Sequence, residues 1–145
     1  MSRSQAREIA LQALFQLDLI PKGDDVPEGA HEAFAVDGAI DAYPEDANIS
    51  KQDISYAREL VHGTREFQQP IDEKIREVSR AWRLERMAAV DRNLMRMAVY
   101  EMAYAEQPIG EKIVINEAVE LAKKYGTDDS SRYVNGILGE IARKK

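Results

Sequence analysis

The sequence predicts an all-α fold, and three observations predict it. Apolar residues recur at steps of three and four in each long segment, the spacing that lines one face of a helix. No segment alternates apolar and polar residues over the length of a strand. Pro21, Pro70, Pro108, Gly110 and Gly126 cut the chain into helix-sized pieces, and mostly short connections favour packed antiparallel neighbours.

The first predicted helix covers residues 4 to 19, with Ala6, Ile9, Ala10, Ala13, Leu14 and Leu17 on one stripe. Pro21 ends it. Residues 21 to 50 read as a long, acidic, mobile insertion holding only a short helix near Glu28 to Ala35. Ser50, with Asp53 three residues on, is the N-cap of the next helix, whose core face is Ile54, Ala57, Leu60 and Val61. Pro70 suits the first turn of a helix carrying Ile71, Ile75 and Val78. A link through Trp82 leads to a helix capped by Asp91. There Leu94, Met95, Met97, Ala98, Val99 and Met102 cover most of the circumference, which marks the central, most buried helix. "IVINEAVELAKKY" predicts the next helix, with Lys123 and Lys124 placed to suit its C-terminal dipole. Gly126 reads as a left-handed stop. Thr127 and the aspartates after it read as the cap of a last helix reaching Arg143, with Val134, Ile137, Leu138 and Ile141 inward.

A chain of 145 residues with 44% hydrophobic and 32% charged residues suits one globular domain spanning 1–145. The absence of cysteine excludes disulfides and thiolate metal sites. His31 and His62 cannot build a histidine metal site unaided, so no metal and no cofactor is expected. No run of about 18 apolar residues exists to span a bilayer. The start, "MSRSQAR", lacks the apolar core of a secretion signal, so no membrane contact and a cytoplasmic location are expected. The net charge of −6 is unevenly spread. Residues 21 to 53 hold nine acids and two bases, and the remainder holds 17 acids and 18 bases. A near-neutral helical body therefore carries an acidic insertion, which disfavours nonspecific nucleic-acid binding but leaves room for a local basic patch.

No catalytic constellation is visible. Ser130 and Ser131 have no histidine at a recognisable spacing, and Asp128 and Asp129 suit the start of a helix. Binding features stand out more. Arg3, Arg7, Leu11 and Phe15 recur every four residues. They read either as a broad core face with two solvated arginines, or as an arginine pair for phosphate with an aromatic for base stacking. Arg76, Arg80 and Arg83 share a face, and Arg86, Arg92 and Arg96 follow. They read either as a face salt-bridged to Glu73 and Glu77 or as phosphate or carboxylate recognition. Glu101 lies in the buried sector of the central helix and suits a structural hydrogen bond or ion pair. Asp129, Tyr133 and Gly136 share a flank. Gly136 permits either a close helix contact or a shallow surface with Tyr133 exposed, and physics alone leaves both open.

"VDRNLMRMAVYEM" and "IVINEAVELAKKYGTDDSSRYVNGIL" resemble the signature of the NusB transcription antitermination family, and "QAREIALQALFQLDL" resembles its N-terminal helix. The resemblance covers the first helix and residues 80 to 143. It implies a bundle of six to seven helices in two packed subdomains and no enzymatic activity. It implies binding of single-stranded, boxA-like RNA together with the ribosomal small-subunit protein that doubles as NusE. Other Nus factors and RNA polymerase would take part indirectly, and the outcome would be processive transcription of ribosomal RNA operons. Carried over by position, Arg3, Arg7, Gln12, Phe15, Asp129 and Tyr133 would face RNA, with Arg76 and Arg80 as further phosphate contacts. Glu85, Asp91 and Arg92 would face the protein partner. Some members self-associate, so a homodimer of the chain alone is compatible with the resemblance. Ser4 and Gln5 separate Arg3 from Arg7, a sparser arginine run than many members carry, which implies weaker RNA binding without the partner. The alternative is a helical protein–protein adaptor with no RNA role.

Overall fold

The structure, a computed structural model, describes residues 3–20, 28–44, 48–79 and 83–144. Seven α-helices are present among them: α1 (Ser4–Asp18), α2 (Glu28–Ala42), α3 (Lys51–Glu66), α4 (Gln68–Val78), α5 (Ala89–Val99), α6 (Glu111–Tyr125) and α7 (Ser130–Arg143). A 3₁₀ turn (Leu84–Arg86) precedes α5, and a π-helical turn (Tyr100–Tyr104) continues it. No described residue lies in a strand, as expected of an all-α chain. The chain divides into two compact units, Met1–His62 and Gly63–Lys145.

In the first unit α1 buries Ala6, Ile9, Ala10, Ala13, Leu14 and Leu17, the stripe the sequence predicts, and Leu11 as well. Alanines at this spacing let α2 approach closely, and the two helices pack along their lengths. The α2 helix corrects an expectation: in place of a short helix ending at Ala35, it runs to Ala42. Its buried stripe of Ala35, Val36 and Ala39 explains the difference. That stripe offsets the cost of about 1 kcal/mol that Gly38 imposes on a helix interior. Polar contacts anchor α2: Arg58 reaches Asp37 at 2.7 Å, His62 meets Glu32 at 3.1 Å, and the Tyr43 hydroxyl donates to Glu8 at 3.2 Å. Ser50 caps α3 as predicted, its hydroxyl accepting the Asp53 N–H at 3.0 Å.

In the second unit α5 is central, packing against α4, α6 and α7. Leu94, Met95, Met97, Ala98, Val99 and Met102 are all buried. Arg96 is buried too and donates from Nε and Nη2 to both oxygens of Asp72 on α4, at 2.8 and 3.0 Å. Gly63 meets the Tyr100 ring so closely that a Cβ there would overlap it. Phe67 stacks on Tyr104 at 5.1 Å between ring centroids.

Three local expectations are corrected. Asp91 does not cap α5, because the helix starts at Ala89 and places Asp91 in its first turn. Gly126 is extended, with φ −96° and ψ −167°, not left-handed. Space, not φ, requires glycine there: a Cβ would collide with the Ser130 side chain and the Ala122 carbonyl. Nor do Thr127 and the aspartates cap α7 through their side chains. The Ser130 hydroxyl instead reaches back to accept the Thr127 N–H at 2.9 Å and lies 3.2 Å from the Thr127 hydroxyl. The corner is locked from inside the helix it starts.

Candidate functional site

The candidate residues fall in both units. In the first, Arg3 stands just before α1 and is exposed. Its guanidinium lies 4.1 Å from the Tyr56 ring centre, a cation–π seat that positions the charge without neutralising it. Arg7, one turn on, is only 4% exposed, which corrects the expectation of two solvated arginines. Gln12 is half-buried. Phe15 is 40% exposed, so part of its ring is open to solvent. The first unit thus presents one cation held on an aromatic ring and one open aromatic face. Tyr56 went unnoticed in the sequence because nothing local links it to Arg3.

In the second unit α7 presents Asp129, exposed, and Tyr133, half-buried. A Cβ on Gly136 would meet nothing within 4 Å. That rejects the close-contact explanation of this glycine and leaves the shallow surface. The Tyr133 hydroxyl is buried and has no hydrogen-bond partner. Burial, and secondarily the negative charge of Asp91, push its pKa above the ordinary tyrosine value. Asp91, 8% exposed, has a buried Oδ1 that also lacks a hydrogen-bond partner. Two residues assigned to different ligands by resemblance therefore feel each other electrostatically.

The arginine run resolves into separate roles. Arg76 pairs with Glu85 at 3.0 Å, both exposed, and not with Glu73 or Glu77. Glu85's pKa is lowered, first by a backbone hydrogen bond and then by the one from Arg76. Arg92 donates to the carbonyls of Leu84 and Met87 at 3.3 and 3.2 Å, tying the 3₁₀ turn to α5. Arg96 is the buried partner of Asp72. Arg80 lies outside the described residues. The carboxylate half of the expectation thus holds inside the protein for Arg76 and Arg96. No group of three or more His, Asp or Glu among the described residues is arranged to hold a metal. No described helix is long and apolar enough to cross a membrane.

Comparisons with known proteins give one answer. The family model described as NusB family matches residues 4–143. A transcription antitermination protein NusB from Bdellovibrio bacteriovorus is 42% identical over 142 residues, covering 98% of this chain and 96% of that protein. The solved structure of Thermotoga maritima NusB superposes with a TM-score of 0.81 at 31% identity, covering 99% of this chain and 92% of the other. A crystal structure of antitermination factors NusB and NusE in complex with double-stranded RNA superposes with a TM-score of 0.77 at 25% identity, covering both chains completely.

Proposed function

Since the chain belongs to the NusB family, we propose that it binds boxA-type RNA jointly with the small-subunit ribosomal protein acting as NusE, and so promotes processive transcription of ribosomal RNA operons in the cytoplasm. The observation that carries this reading is the extent of the match. It runs from residue 4 to 143 and so takes in both the α1 and the α7 residues. A relative of the same fold was crystallised with NusE and RNA.

The roles follow from the chemistry of each group. Arg3, seated on Tyr56, offers a positioned charge to phosphate. Phe15 and Tyr133 offer rings on which bases stack. Gln12 and Asp129 flank them as hydrogen-bonding groups. Arg7 is buried and acts by shaping α1. Arg76 reaches phosphate by exchanging Glu85 for it. Arg80, next along the chain, is a further phosphate contact. Glu85, Asp91 and Arg92 mark the protein-partner region, where the exposed carboxylate of Glu85 suits a basic ribosomal protein and Asp91 is buried. None of these groups performs bond chemistry; the activity is binding.

One observation favours the adaptor reading: Arg76, Arg92 and Arg96 all have acceptors within the protein. A titration decides. A boxA-type RNA and a scrambled RNA are titrated with and without the NusE partner. The proposal expects preference for the boxA type, strongest with the partner. Equal binding of the two RNAs in both conditions would leave only the adaptor.

A further inference from the structure

Helix α2 has a second apolar face. Its packed face is Ala35, Val36 and Ala39. On the other side Ala30, Ala33, Phe34, Asp37, Gly38 and Asp41 recur at helical spacing, and all are exposed. Phe34 is 77% exposed, the most of any large apolar residue described. A helix on a protein surface ordinarily turns polar residues to water, whereas four of these six, Ala30, Ala33, Phe34 and Gly38, are apolar or glycine. Gly38 sharpens the point. A Cβ there would meet nothing within 4 Å, so packing among the described residues does not require glycine. Its absence of a side chain leaves a flat area beside the protruding Phe34 ring.

Charge selects the occupant. The helix carries Glu28, Glu32, Asp37 and Asp41 and no lysine or arginine; Arg58 pairs with Asp37 and His62 meets Glu32, and residues 21–53 as a whole hold nine acids against two bases. That field repels RNA, and it repels a second α2. We propose that the outer face of α2, centred on Phe34, docks a cationic amphipathic helix of a protein partner. The partner's apolar side chains lie over Phe34 and Gly38, and its lysines and arginines face Asp41 and Asp37, the helix-against-groove mode of recognition. This surface uses none of the residues assigned above to RNA or to NusE.

The test uses the full chain, labelled with ¹⁵N, and a Leu/Lys amphipathic peptide of about 18 residues, five helical turns. Its Leu/Glu counterpart is the control. The Leu/Lys peptide should shift the amides of α2, and the Leu/Glu peptide should not bind. Gly38→Arg and Asp41→Lys should each weaken binding by about tenfold or more, as loss of a central contact does. Gly38→Arg improves helix propensity, so its effect cannot come from unfolding α2. Glu85→Lys should leave the peptide's affinity unchanged, which separates this surface from the proposed NusE contact. Amide shifts confined to other helices, or full affinity in Gly38→Arg, would overturn the proposal. So would equal binding of the Leu/Glu peptide. A dimer of the chain alone that Gly38→Arg disperses in sedimentation would assign the face to a second copy instead.

Discussion

Tyr133 joins two separable chemistries in one side chain. Its ring is partly open on a flank kept shallow by Gly136, whereas its hydroxyl is buried without a hydrogen-bond partner. Tyr133→Phe removes only the second. Leaving a buried polar group unpaired costs about 1–3 kcal/mol, so the variant should melt at the same temperature or higher while keeping its RNA affinity. Tyr133→Ala removes the ring and should weaken RNA binding by about 1–3 kcal/mol, the worth of one stacked base. Thermal melts and an RNA titration on the same three proteins check both outcomes. The raised pKa adds a pH signature. A tyrosine whose folded pKa lies above its unfolded value of 10.0 contributes stability below that value. The contribution disappears as pH rises through the folded pKa. The stability of the natural protein should therefore fall more steeply above pH 10 than that of Tyr133→Phe, in denaturant titrations across the alkaline range. At this scale the sequence showed which residue types could contact RNA but not which way they point. Arg3 and Arg7 are equivalent by spacing, yet one is seated on Tyr56 in solvent and the other is buried. Only tertiary neighbours decide that.

Helices are joined here by a few contacts whose removal has predictable cost. The Asp72–Arg96 pair is buried and bidentate and links α4 to α5. Asp72→Ala would strand the guanidinium in the core and should destabilise the fold by about 3–5 kcal/mol, measured by urea unfolding. Two glycines make a contrasting pair. Gly63→Ala drives a methyl group into the Tyr100 ring and should cost about 1–3 kcal/mol. Gly136→Ala meets open space and should stabilise α7 by up to about 1 kcal/mol. Sequence reading identified all the helices that rest on a wide apolar stripe, including the central one. It shortened α2, because glycines and acids outweighed a stripe of only Ala35, Val36 and Ala39 whose value appears once α1 packs against it. It mistook the reason for Gly126, since a requirement for empty space and a requirement for positive φ both select glycine. One reading pairs the Arg76, Arg80 and Arg83 face with Glu73 and Glu77; Arg76 itself pairs with Glu85, which folds back from the next turn.

At the scale of the whole molecule, charge sets how the chain can meet RNA. A protein with a net charge of −6 has little long-range attraction for a polyanion. Most of the excess sits in residues 21–53, which hold nine acids against two bases, leaving the rest near neutral. On the proposed reading, attraction to phosphate comes from short-range contacts, Arg3 among them, while Arg76 starts paired to Glu85 and Arg96 is committed to Asp72. A basic protein partner changes both sides of this balance. It is drawn to the acidic surface, and it brings its own cations to the RNA. The number of neutralised phosphates is measurable, because the logarithm of the affinity for a single strand falls by about 0.7 per phosphate for each decade of salt. The chain alone should show a shallow slope, of one to two phosphates, and the heterodimer a distinctly steeper one. Replacing Arg3 by alanine should flatten the slope of the chain alone by about one phosphate. Titrations at several salt concentrations give these slopes directly. Equal slopes with and without the partner would mean that the partner adds no phosphate contacts, and its help would have to come from ordering the RNA-facing residues of this chain.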